Sequence, residues 1–167
     1  ILFLAFPSLG VRFIDSFISS LPVGVHSDHY RVLAGGFLAF EDSPFFGIGT
    51  ANYRILCPEL MVGREDLRCD NHPHNFFIQL LGETGLFGLF AGVIMMCSII
   101  WVTLKAGLKN RENVFVATSF VVPLAFFFPI ATSADFFGQW NNLFMWSAIA
   151  LSLGATNLIN EKGGHEF

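Results

Sequence analysis

Residues 76–104 read FFIQLLGETGLFGLFAGVIMMCSIIWVTL, with Glu83 as the single charged side chain. The hydrocarbon core of a bilayer needs about 20 helical residues to cross, so this run is long enough to span a membrane with length to spare. A chain carrying it has few alternatives, and the rest of the composition agrees. Hydrophobic residues make up 53%, charged residues 13%, and 21 residues are Phe. These values exclude an ordinary soluble domain and a disordered chain.

Two further apolar stretches, 114–131 and 143–159, are expected to form a second and a third span, the third interrupted by Asn157 and several Ser and Thr. Residues 1–9, ILFLAFPSL, cover only about 14 Å as helix at 1.5 Å per residue and cannot cross alone. The stretch starts with Ile and lacks the basic head and cleavage site of a signal peptide. It reads as the tail of a helix whose beginning is missing. The fold expected is therefore all-α: the C-terminal part of a polytopic transmembrane helix bundle.

Lysine and arginine set the orientation. The connector 105–113 carries Lys105, Lys109 and Arg111, whereas 132–142 carries no Lys or Arg. By the positive-inside rule 105–113 is cytoplasmic, as is the tail 160–167, and 132–142 together with the long loop 10–75 lies on the periplasmic side. Arginines 12, 31, 54, 64 and 68 of that loop are outnumbered by acids at 15, 28, 41, 42, 59, 65, 66 and 70. It offers no basic field for nucleic acid. Cys57 and Cys69 close a short ring across PELMVGREDLR, which in an oxidising compartment could be a disulfide worth roughly 3 kcal/mol, or could stay as two thiols. Cys97, within the first span, has no partner in sequence.

Within the loop, Tyr30, Leu33, Phe37 and Phe40 recur at near-helical spacing, Ser27 and Asp28 suit a helix start, and Asp42-Ser43-Pro44 suits its end. This predicts a short amphipathic helix lying at the membrane surface, followed by a turn at Gly47-Ile48-Gly49. Arg31 falls in its first turn, where it could join backbone N–H groups in holding an anion. It could equally meet headgroups or pair with Asp28.

The segment DNHPHN, 70–75, places two histidines at the mouth of the first span. Extending the helix from His74 puts Gly85, Gly88 and Gly92 beneath it on one face, a groove open to another helix or a lipid chain. Asn75, Gln79 and Glu83 form a polar stripe beside it. A carboxyl at that depth needs a partner, a proton or a wet cavity. His72 and His74 then have three readings: caps of the helix at headgroup level, metal ligands with Asp70, or a general base or phosphate ligand above the groove.

These residues resemble a family. His74-Asn75, nine residues, Gly85, two residues and Gly88 resembles the His-Asn-x9-Gly-x-x-Gly signature of the bacterial O-antigen ligase superfamily, which includes O-antigen polymerases. Arg31 followed by DSPFFGIGTANY, 42–53, resembles its Arg and Pro-x-x-Gly-x-Gly-x-x-x-Phe/Tyr stretch. The resemblance covers 26 to about 104. It implies an inner-membrane glycosyltransferase with roughly ten or more spans that moves a glycan from undecaprenyl pyrophosphate to an acceptor hydroxyl, on lipid A core for a ligase or on another lipid-linked glycan for a polymerase. No metal or cofactor is implied; membrane lipids and the missing N-terminal helices are the other partners. On this basis Arg31 holds the pyrophosphate and His74 is the base or phosphate ligand, with His72, Asn75 and Tyr53 as further substrate contacts and Gly85 and Gly88 lining the lipid groove. A lipid-linked glycan transporter with Glu83 and Asp135 as gating charges is the non-enzymatic alternative.

Overall fold

The computed structural model describes residues 7–20 and 27–162. All regular structure among them is helical: α1 Pro7–Ser20, α2 Asp28–Asp42, α3 Tyr53–Leu60, α4 Phe76–Lys109, α5 Val114–Ala117, α6 Val121–Phe126 and α7 Gln139–Lys162. The start of the expected helical tail, 1–6, and the end of the C-terminal tail, 163–167, lie outside the described residues. Residues 7–9 belong to α1, which continues to Ser20, so no boundary falls at residue 10.

α4 is the helix among the described residues that is long and apolar enough to cross a membrane. Phe87, Phe90, Ile94 and Trp101 stand exposed along it, as side chains meant for lipid would. It is not one continuous helix. Gly85 has φ 65° and ψ −165°, a conformation open almost only to glycine, and breaks α4 into a short N-terminal arm and a long C-terminal one.

A break inside a membrane helix exposes backbone groups that lipid cannot satisfy. Here the loop 44–49 satisfies them. Ile48 N–H donates to Gly82 O at 3.0 Å and Gly49 N–H to Glu83 O at 2.9 Å, while Leu86 N–H donates to Pro44 O at 2.9 Å and Phe87 N–H to Phe45 O at 3.4 Å. The approach is so close that a Cβ on Gly85 would collide with the Phe45 carbonyl group, and one on Gly47 with the Glu83–Thr84 peptide. The two glycine motifs are thus the two halves of one junction.

α2 packs along the N-terminal arm of α4. Ser27 caps it by accepting from Tyr30 N–H at 3.0 Å, and it ends at Asp42, as the sequence predicts. Its inner face differs from the expected one: Val32, Gly35, Gly36 and Ala39 are buried, whereas Phe37 is 47% exposed and Tyr30, Leu33 and Phe40 are half-buried. Small residues let the backbones approach, and Gly82 of α4 sits against the Gly36 carbonyl. The helix is docked on the bundle by this seam.

The inner elements also depart from the expected boundaries. α4 continues to Lys109, leaving 110–113 as a link between the Asn110 C-cap and the Asn113 N-cap of α5. In 114–131, Thr118 and Ser119 bond back to the Val114 and Val116 carbonyls, and Pro123 has no N–H to offer, so the helix breaks at 118–120 and ends at Phe126. Those 13 residues reach about 20 Å, short of the 30 Å hydrocarbon core. α7 contains the expected 143–159 helix and starts four residues earlier. Phe76, Leu80 and Met96 of α4, Phe127, and Met145 and Ile149 of α7 form one core, and Ala39, Tyr53 and Cys57 form a second under the outer loop.

Candidate functional site

Three segments meet at the N-terminal end of α4: residues 70–75, the first turn of α2, and the loop 129–135. Asn75 is the N-cap of α4. Its Oδ1 accepts from Phe77 N–H at 3.0 Å and Ile78 N–H at 3.2 Å, and its Nδ2 donates to Pro129 O at 2.8 Å. It is buried with both ends of the amide engaged, so it is a cap and a staple for the 129–135 loop and not a substrate contact.

His74 therefore stands one residue before the cap, outside the helix, with φ 55°. This left-handed conformation is uncommon for a residue with a Cβ. It turns the His74 carbonyl to accept from Ser133 N–H at 2.9 Å. Since His74 is not helical and Gly85 breaks α4, the continuous face running from His74 through Gly85, Gly88 and Gly92 does not exist. Gly85 faces the Phe45 backbone, a Cβ on Gly88 would meet Thr84, and one on Gly92 would meet Leu80. These glycines are filled by the chain itself and line no lipid groove.

His74 Nε2 lies 3.1 Å from Asp70 Oδ2, with the two side chains 29% and 33% exposed. The Asn71 N–H, at 2.7 Å, and His74 hold the Asp70 carboxyl below the usual carboxylate range, so it is an anion at neutral pH. An anion at Nε2 favours the tautomer protonated there and leaves Nδ1 as the basic nitrogen. That pairing equips a half-buried imidazole to accept a proton and stabilises it once charged.

The neighbouring histidines complete the cluster. His72 and His74 have ring centroids 4.3 Å apart, and the His29 ring meets His74 edge-on at 6.2 Å. His72 Nε2 lies 3.1 Å from the Ser133 carbonyl and so donates to it. Burial pushes the His72 pKa down, which keeps it neutral at pH 7. Among the described residues no three His, Cys, Asp or Glu side chains converge as metal ligands. His29 Nε2 lies 2.8 Å from Thr132 Oγ1. Neither Asp70 as the orienting partner nor His29 and Thr132 as neighbours stood out in sequence; His29 and Thr132 are 103 residues apart.

Arg31 is tied to the outer loop. Its Nε donates to Asp66 O at 2.6 Å and its Nη2 to Glu65 O at 3.1 Å, while Arg68 N–H donates to Arg31 O at 3.4 Å. The disulfide between Cys57 and Cys69, with Cα atoms 5.8 Å apart, closes the ring that presents those carbonyls. The guanidinium is thereby fixed two residues from His29, on the turn that faces His74.

Tyr53 and Glu83 belong to the support beneath. Tyr53 is fully buried, with its hydroxyl 3.5 Å from Val32 O, and burial, aided by the Asp70 and Glu83 charges, pushes its pKa up so that it stays protonated. It has no surface for a substrate. Glu83, equally buried, accepts from Ala51 N–H at 2.7 Å and Tyr53 N–H at 3.2 Å. Its carboxyl caps the N-terminus of α3, whose N-cap Asn52 makes no side-chain cap bond. The polar stripe below continues with Gln79, which donates to Asp135 Oδ1 at 2.6 Å and accepts from Phe136 N–H at 2.8 Å.

Among the described residues, fold and site together define an all-helical unit with a membrane-length helix whose N-terminal end carries a carboxylate-oriented histidine. Comparison with known proteins narrows that class: residues 27–93, the segment that holds Arg31, Asp70, His74 and Gly85, match the family model described as O-antigen ligase. The family's members are membrane-associated, glycosyltransferase-like enzymes. No curated protein and no solved structure matches the chain.

Proposed function

We propose that the chain is the C-terminal part of a polytopic inner-membrane glycosyltransferase that moves a polysaccharide from undecaprenyl pyrophosphate to a hydroxyl of lipid A core at the periplasmic face. The observation that carries this reading is the Asp70–His74 pair: a half-buried imidazole with an anion behind it, inside the family-matched segment.

The chemistry assigned to the site is a single displacement. The acceptor oxygen attacks the anomeric carbon of the donor glycan, the bond from that carbon to the pyrophosphate oxygen breaks, and the electron pair leaves with undecaprenyl pyrophosphate. His74 Nδ1 takes the acceptor's proton, and Asp70 stabilises the imidazolium. Arg31 faces the pyrophosphate, where a guanidinium neutralises charge that grows as the bond breaks. Its tether to the Glu65 and Asp66 carbonyls supports this role by fixing where the charge stands.

Orientation rests on the basic C-terminal end of α4 and the link that follows, with Lys105 and Lys109 in the helix and Arg111 in the link on the cytoplasmic side and the histidine cluster on the other. The transporter alternative gains no support, because its two gating carboxylates are held in place, Glu83 by the α3 N-terminus and Asp135 by Gln79 and the Phe137 N–H.

Complementation of a deletion strain with the full-length gene carrying His74→Ala or Arg31→Ala tests the reading. Loss of long polymer from lipid A core, with polymer accumulating on the polyprenyl carrier, is the result expected of a ligase. Single repeats on the core would assign a polymerase instead. Unchanged glycans from normally accumulating variants would remove both side chains from the chemistry.

A further inference from the structure

Next to the histidine cluster lies a cavity that the site described so far does not use. Its volume is about 260 Å³, and it is bounded by the loop 131–135, the end of α6 and the start of α7. Phe76, Phe126 and Met145 give it apolar walls, and Ser133, Asp135 and Asn142 give it polar ones. Two of these polar residues carry the only buried side-chain oxygen or nitrogen atoms among the described residues that lack a hydrogen-bond partner: Ser133 Oγ and Asn142 Oδ1. A buried polar atom left unpaired costs about 1–3 kcal/mol, and two in residues that line one cavity point to a ligand that supplies the missing partners.

The chemistry of the partners can be read from the atoms. Asn142 Nδ2 donates to the Phe136 carbonyl at 2.6 Å, which fixes the amide's orientation and makes the unpaired atom an acceptor. Its ligand must bring an O–H or N–H. Ser133 Oγ can both donate and accept, and a hydroxyl meets either need. Asp135 is committed to Gln79 and to the Phe137 N–H, so it selects for neutral hydroxyls over anions without being the main contact. Several hydroxyls on a ring with an apolar face describe a saccharide, and the cavity has room for one ring.

The cavity is also joined to the proposed base. Ser133 N–H donates to the His74 carbonyl, and the Ser133 carbonyl accepts from His72. We propose that this cavity is the acceptor subsite, in which Asn142 Oδ1 and Ser133 Oγ hydrogen-bond hydroxyls of the sugar ring that receives the glycan. The proposal rests on the glycosyltransferase reading above and deepens it.

The test uses the full-length protein in lipid nanodiscs, with undecaprenyl-pyrophosphate-linked glycan as donor and either glycan-free rough lipopolysaccharide or a second lipid-linked repeat as acceptor. Asn142→Leu should raise KM for the acceptor about tenfold, the loss expected for one buried hydrogen bond, and Ser133→Ala several-fold. The donor KM and kcat at saturating acceptor should stay unchanged. Ser133→Ala removes one oxygen and keeps the backbone bond to His74, so it remains informative if Asn142→Leu does not accumulate. An active wild type whose Ser133→Ala variant keeps its acceptor KM would make the cavity a water-filled void and overturn the proposal alone. A fall in kcat together with a rise in donor KM would make it a prop for the histidine loop and overturn it as well. A wild type that transfers to neither acceptor would overturn the glycosyltransferase reading and the subsite with it.

Discussion

At the scale of single residues, the most consequential one is Gly85. A side chain there must adopt φ 65° with ψ −165° and enter the Phe45 carbonyl group. Gly85→Ala is expected to abolish docking of the 44–49 loop, read as loss of folded protein after detergent extraction, whereas Gly63→Ala, at a positive φ with open space around it, should be milder. Sequence offered a glycine here without its conformation, because glycine is common inside membrane helices. Glu83→Gln should keep one of the two bonds to the α3 N-terminus and weaken folding by about 1–3 kcal/mol, measured as a lowered thermal midpoint. His72 adds a pH dependence. Its folded-state pKa lies below the unfolded value, so the unfolded chain binds protons more readily and stability falls as pH drops below about 6.5. His72→Gln keeps an N–H for the Ser133 carbonyl and should flatten the midpoint between pH 7 and pH 5.

Among the elements, those with local signals were legible. The Ser27 cap, the Asp42-Ser43-Pro44 stop and the first long apolar run all appear where the sequence puts them, since caps, prolines and hydrophobicity act over a few residues. The buried face of α2 was not legible, because Gly35, Gly36 and Ala39 are chosen for closeness and carry little hydrophobic signal. The break in 114–126 was hidden for a related reason: Thr118, Ser119 and Pro123 are tolerated in an apolar run, and only their back-bonding shows where the helix fails. The disulfide loop makes a prediction at this scale. Replacing Cys57 and Cys69 with Ser should cost roughly 3 kcal/mol of stability and loosen the carbonyls that hold Arg31. Loss of transfer should therefore exceed what reduced protein level explains, measured as rate per folded molecule.

For the molecule as a whole, composition predicts a membrane protein and the His-Asn and glycine motifs carry the family resemblance, yet the site itself is built from segments far apart in sequence. Asp70 and His74 are four residues apart but pair across a left-handed turn that no helical wheel represents. His29, Thr132 and Ser133 join them only because Asn75 staples the 129–135 loop to the helix start. Of the glycines expected to form a lipid groove, Gly85 instead lets a loop repair a broken helix, and Gly88 and Gly92 pack against Thr84 and Leu80. What emerges is a platform at the N-terminal end of α4 on which one half-buried imidazole is oriented by an anion. The central claim is that this imidazole is the base of glycosyl transfer, and the most direct measurement is the transfer rate of purified full-length protein carrying His74→Ala or Asp70→Asn, at matched folded amounts, with lipid-linked donor and rough lipopolysaccharide. The account predicts a fall of about a hundredfold or more for His74→Ala, and a smaller fall for Asp70→Asn. Rates within twofold of wild type in both variants would contradict it and leave the cluster as a clamp on the 129–135 loop.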